Sequence, residues 1–121
     1  MELKDAASCL AALSQETRLE VFRLLVREGE AGLPAGEIAA ALSVPPSTLS
    51  SHLGILERAG LLASTRAARQ VIYRIDFAGF RALVTFLLQD CCQGRPEACG
   101  DAISAALQGE FATIALEETP R

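Results

Sequence analysis

Two apolar stripes at helical spacing, separated by a short stretch that includes two adjacent prolines, constrain this chain more than any other feature. Ile38, Ala39 and Leu42 form the first stripe, Leu49, Leu53 and Leu56 the second, and Ser43-Val44-Pro45-Pro46 lies between them. A proline inside a helix removes a backbone hydrogen bond and clashes with the preceding turn, so neither stripe runs through Pro45-Pro46. The spacing predicts two short helices, the second over 47–58, joined by a tight turn and closed by Ala59-Gly60. Beyond that point the period changes. Leu61–Thr65 and Gln70–Ile75 are β-prone, with Val71, Tyr73 and Ile75 alternating against Ile72 and Arg74. Arg66-Ala67-Ala68-Arg69 carries no strong turn signal, but its length permits a hairpin.

The flanks read as helices. Leu3, Ala7, Leu10 and Leu13 predict a first helix over 4–13. Ser14 is the expected cap of a second, whose stripe is Leu19, Phe22 and Val26 with Val21 and Leu25 alongside. Gly29 and Gly32 stop it, and Pro34 suits the first turn of the third. Asp76 caps a fifth, with Phe80, Leu83, Val84, Leu87, Leu88 and Cys91 at helical spacing, broken by Gln93-Gly94-Arg95-Pro96. A last amphipathic segment, about 101–116, carries Ile103, Ala106, Leu107, Phe111 and Ile114. The expected fold is mainly α with a β-hairpin wing, in the order α-α-α-α-β-β-α-α: a winged helix-turn-helix forming a single domain over 1–121.

Composition adds a dimer. A chain of 121 residues holds one core, and a hydrophobic share of 50% exceeds what so small a domain buries alone. The expected division is 34–76 for the helix-turn-helix plus wing, with 1–13 and 77–116 as outer, dimerisation helices. No apolar run approaches the ~20 residues of a spanning helix. Glu2, Lys4 and Asp5 do not have the layout of a signal peptide. The expectation is a cytoplasmic protein without membrane contact.

The net charge of −4 hides a segregation. Residues 1–42 carry four Lys/Arg against seven Asp/Glu, and 75–121 carry three against seven. Residues 43–74 carry Arg58, Arg66, Arg69 and Arg74 against Glu57 alone. A basic centre between acidic flanks fits a DNA-binding element on a larger scaffold. The outward positions of the helix 47–58 are Ser47, Thr48, Ser50, Ser51 and His52, short hydrogen-bonding groups able to approach base edges and phosphates. Arg66, Arg69 and Arg74 fall on the hairpin, where guanidinium groups reach phosphate or a narrow minor groove. The partner so implied is double-stranded DNA.

Three separated segments carry a family resemblance. Leu13-Ser14-Gln15-Glu16-Thr17-Arg18-Leu19-Glu20-Val21-Phe22-Arg23-Leu24-Leu25, Leu49-Ser50-Ser51-His52-Leu53-Gly54-Ile55-Leu56-Glu57-Arg58-Ala59-Gly60-Leu61-Leu62 and Gln70-Val71-Ile72-Tyr73-Arg74-Ile75 resemble the ArsR/SmtB metal-sensing repressors. The resemblance spans roughly 5–92. It implies a homodimeric winged-helix repressor, its outer helices at the interface, that leaves its operator when an inducer ion arrives. One departure stands before the histidine, where relatives often carry Arg and this chain has Ser51.

The sensor has to be read from this chain. Gly36-Glu37-Ile38-Ala39-Ala40-Ala41-Leu42 lacks the Cys-x-Cys of many arsenic-responsive relatives, and the fifth helix lacks the histidines of zinc-responsive ones. Cys91, Cys92 and Cys99 remain, resembling a less common arsenical-sensor variant. Soft thiolates select soft ions, and three sulfurs suit a trivalent ion with a lone pair, whereas structural zinc takes four ligands. Trivalent arsenic (arsenite) is the expected inducer, with antimonite and methylated trivalent arsenic as further candidates. Adjacent helical residues point about 100° apart, so capture by Cys91 and Cys92 would distort the helix end and, through it, the dimer seam. Cys9, at near-core spacing, reads mainly as packing and otherwise as an accessory ligand. Two other readings stay open: a repressor whose vicinal thiols sense oxidants or reactive sulfur, and a small cysteine-dependent enzyme. The latter would need His52 within reach of a thiol.

Overall fold

The structure, a computed structural model, describes residues 1–89. By its internal contacts the chain divides into Met1–Val84 and Thr85–Arg121. The fold described here is that of the first unit; of the second, only Thr85–Gln89 is described, and it is helical. The elements are α1 (Leu3–Leu13), α2 (Glu16–Glu28), a single 3-10 turn (Gly29–Ala31), β1 (Leu33–Pro34), α3 (Ala35–Leu42), α4 (Pro46–Arg58), β2 (Leu62–Ala67), β3 (Gln70–Ile75) and α5 (Phe77–Gln89). The break after α5, the segment 101–116 and Cys91, Cys92 and Cys99 lie outside the described residues.

The proline-bearing connection behaves as its chemistry requires. Ser43 adopts a left-handed conformation (φ 55°, ψ 45°) that ends α3, and the Val44 N–H closes back on the Ala39 carbonyl at 3.0 Å. Pro45 is extended and Pro46 is the first residue of α4, one position ahead of the expected start. A missing N–H costs nothing in a first turn, where that donor has no intrahelical partner. Leu49, Leu53 and Leu56 then point inward, each at most 1% exposed, and share the core with Val21, Leu25, Ile38 and Leu61.

The outer helices bury different faces from those expected. In α1 the buried residues are Ala6, Cys9 and Ala12, whereas Leu3 is 75% and Leu10 45% exposed. Small side chains let α1 approach its neighbours closely, and the leucines are left on an adjacent face. In α2 the buried residues are Val21, Phe22 and Leu25, with Leu19 and Val26 exposed. Its cap is Gln15 rather than Ser14: the Gln15 side chain accepts from the Arg18 N–H, while the Ser14 hydroxyl donates to the Ala11 carbonyl at the end of α1.

The three-stranded antiparallel sheet has the order β1-β3-β2. The β2–β3 hairpin runs from Leu62↔Ile75 to Ala67↔Gln70, so the strands extend further than expected and Ala68-Arg69 makes the turn, with Ala68 at φ 57°. β1 pairs Leu33↔Tyr73 and Pro34↔Ile72. Two residues are too few to show alternation, and Pro34 therefore reads in sequence as a helix start. Gly32 makes this pairing possible: at φ 67° it lies so close to β3 that a Cβ would collide with the Tyr73 carbonyl oxygen.

Asp76 caps α5 as expected, its Oδ1 accepting the Gly79 N–H at 3.0 Å. Phe22 and Phe80 stack at 54° with centroids 5.3 Å apart, and Leu83 is buried. No helix among the described residues is long and apolar enough to cross a membrane.

Gly79 sits directly on the Gly60 backbone, where a Cβ would overlap the carbonyl oxygen. A backbone oxygen cannot swing aside as a side-chain tip can. Gly79→Ala is therefore expected to destabilise the protein by about 1–3 kcal/mol, the range for overpacking a tight contact. Urea denaturation at fixed protein concentration measures it, and an unchanged midpoint would contradict the contact.

Candidate nucleic-acid interface

The interface is built on α4. Burial of its leucine stripe turns Ser47, Thr48, Ser50 and Ser51 outward, and all four are exposed. Pro45 provides no side-chain cap, so the first-turn N–H groups of α4 remain free to meet an anion. α4 carries no carboxylate before Glu57, and that one is turned away: it accepts the Ser64 hydroxyl at 2.7 Å, fastening α4 to β2. Ser50 lies on the wing side, lining a recess of about 200 Å³ with Leu49, Leu53, Val71 and Tyr73. Burial, and then the nearby Glu57 charge, push the Tyr73 hydroxyl above the usual phenol range, so it stays neutral.

His52 differs from the four hydroxyl residues. It is half-buried, and its Nδ1 lies 3.2 Å from Nη1 of Arg18 on α2. Spacing within α4 does not reveal that tie, because the partner is 34 residues away. Arg18 is the residue that sequence reasoning missed.

The hairpin separates the three arginines. Opposed residues share a face, so Arg66 projects with Val71 on the side of Tyr73, whereas Arg74 projects with Ala63 on the other. Arg66 and Arg69 are exposed at the outer end of the wing, and Arg69 borders a recess shared with Glu37 at the start of α3. Arg74 is half-buried nearer the base, its Nη1 donating to the Thr65 hydroxyl at 2.6 Å. Among the described residues two arginines are exposed at the tip without a partner, and the third is already engaged.

Among the described residues no group of three His, Cys, Asp or Glu could hold a metal. Cys9 is 1% exposed and donates its thiol hydrogen to the Ala59 carbonyl, 3.2 Å away. Burial first, and the Asp5 charge second, push this thiol up. It is a packing residue joining α1 to the end of α4.

Known proteins share this arrangement. A helix-turn-helix domain model matches residues 13–65. The transcriptional activator HlyU of Vibrio cholerae is 31% identical over 88 residues, covering 73% of this chain and 79% of its own length. A biofilm growth-associated repressor of Xylella fastidiosa is 32% identical over 94 residues, covering 78% and 80%. Among solved structures, an ArsR-like transcriptional regulator from Rhodococcus sp. RHA1 is 30% identical at a TM-score of 0.63, covering 90% of this chain and 93% of that one. One described as a possible transcriptional regulator for arsenical resistance is 26% identical at a TM-score of 0.60, covering 68% and 82%.

Two predictions arise here. Arg66→Ala and Arg69→Ala should each lower the slope of log affinity for DNA against log salt by about one, with a smaller change for Arg74→Ala. Equal changes at all three would contradict the separation. The second concerns Cys9. A thiol whose pKa is raised by folding ionises less readily in the folded protein, so the unfolded chain loses its proton first. Its stabilising contribution is complete below about pH 8.5, the ordinary thiol value, and is lost as pH rises through the folded one. Alkaline denaturation should therefore be less steep in Cys9→Ala, as measured by urea midpoints across that range.

Proposed function

The chain belongs to the ArsR/SmtB family of winged-helix transcriptional regulators, and from that premise we propose that it is a homodimeric, operator-binding repressor released by trivalent arsenic. As a DNA-binding regulator rather than an enzyme, it has binding to perform and no bond to break. One observation carries the DNA reading: α4 presents four exposed hydroxyl residues outward, its one carboxylate is tied to Ser64, and two exposed arginines stand at the wing tip. In this reading α3 lies across the DNA backbone and α4 enters the major groove. There the short side chains at 47, 48, 50 and 51 reach base edges, His52 contacts DNA at the flank, and Arg66 and Arg69 reach phosphates. Arg74 contributes through the wing base.

The dimer reading is supported by apolar side chains that the unit Met1–Val84 leaves exposed: Leu3 and Leu10 on α1 and Phe77 on α5. Two copies double the basic footprint presented to a duplex.

The inducer reading rests on donor chemistry. With Cys9 committed to the Ala59 carbonyl, the thiols left to the chain are Cys91, Cys92 and Cys99. Three thiolates suit trivalent arsenic or antimony, and a methylated arsenical would take two of them. The likeness to a possible regulator of arsenical resistance supports the same assignment.

Fluorescence anisotropy on the DNA upstream of its own gene tests both halves. Binding should be sequence-selective and salt-sensitive. Arsenite should weaken it by roughly 5–150-fold, the span of ordinary allosteric couplings. Serine at 91, 92 and 99 together should leave DNA binding intact and abolish the arsenite effect; an undiminished response would defeat the inducer assignment. Release by oxidant but not by arsenite would identify a redox sensor instead.

A further inference from the structure

Arg18 is where three helices meet. Its backbone N–H donates to Gln15 Oε1 at 2.9 Å, closing the N-cap of α2. Its Nε donates to the Ala12 carbonyl at 2.6 Å, one of the last four carbonyls of α1, which have no partner within their own helix. Its Nη1 lies 3.2 Å from His52 Nδ1 on α4. The guanidinium is a rigid plane, so fixing Nε on one helix fixes where Nη1 points. A lysine ammonium, a single point on a flexible stem, could not hold both acceptors in one orientation.

The contact also selects a form of the ring. A guanidinium has donors only, so Nδ1 must present its lone pair, and the neutral imidazole then carries its hydrogen on Nε2. We propose that Arg18 is a positioning residue for DNA recognition: bridging the Ala12 carbonyl and His52 Nδ1, it locks His52 as an Nε2–H donor at the flank of α4, where only a hydrogen-bond acceptor on the duplex is a suitable partner. The proposal rests on the operator-binding reading above. It adds that the donor is set from outside the reading helix, by a residue of α2 braced on α1. Thr48, four residues before His52, is exposed on the same side of α4.

The chain contains one histidine, so its imidazole nitrogen signals are unambiguous. In mildly alkaline buffer, 15N NMR of the full-length protein should show the Nε2–H tautomer dominant in the wild type and a mixture in Arg18→Ala. Arg18→Lys, which keeps the charge and loses the fork, should show the same mixture and serves if Arg18→Ala does not fold. Affinity for the upstream duplex should fall about tenfold in Arg18→Ala, the effect of one well-placed hydrogen bond. His52→Ala should lose a similar factor, and the double variant no more than either alone, because both act through one contact. A wild type that binds DNA while its tautomer ignores both Arg18 substitutions overturns the positioning role alone, as do losses that multiply in the double variant. A wild type that does not bind DNA overturns both readings, even with the tautomer locked.

Discussion

Burial of one leucine stripe organises this molecule. Leu49, Leu53 and Leu56 are almost fully withdrawn from water, and truncating any of them would cost about 2–5 kcal/mol. A domain holds only about 5–15 kcal/mol of net stability, so the orientation of α4 about its own axis is not negotiable. Whatever lies opposite the stripe must face outward. The residues there are short hydroxyl side chains, suited to approach another molecule closely.

The flanks of α4 are held as well as its inner face. On the wing side Ser64 donates to Glu57, and Tyr73 lines one recess with Leu49 and Leu53. On the other side Cys9 donates to the Ala59 carbonyl, and Arg18 reaches His52. Glu57 is the one carboxylate of α4, and its use as an internal tie keeps negative charge off the outward face. A helix fixed on three sides spends little conformational freedom on binding, which favours affinity for a rigid target such as a duplex. The chain is acidic overall, yet the outward face of α4 is not.

Much of this was legible in sequence because it depends on local periodicity. The proline turn, the alternation in β3 and the Asp76 cap each follow from short-range sterics or hydrogen bonding, and each is present. Errors arose where two burial patterns fit one helix. Leu3 and Leu10 are more hydrophobic than Ala6 and Ala12, so the pattern favours them for the core. The interior of a single chain instead takes the small residues, because α1 packs closely, and the leucines remain for a second copy under the dimer reading. Gly32 and Pro34 look like a helix boundary because β1 is defined by its partner, not by its own two residues.

The order of elements, the outward serines of α4 and the clustering of basic residues were determined by the sequence by itself, since they depend on which residues are neighbours along a helix or strand. So was the thiol chemistry of Cys91, Cys92 and Cys99, which belongs to sulfur in any conformation. Only the tertiary structure decided how the arginines are used among the described residues: Arg66 and Arg69 are exposed while Arg74 is spent on Thr65, because cross-strand register puts Arg66 and Arg74 on opposite faces and the turn carries Arg69. Only folding brings Arg18 to His52. Hydrogen bonds between residues far apart in the chain leave no periodic trace, for they are set by where packed helices come to rest.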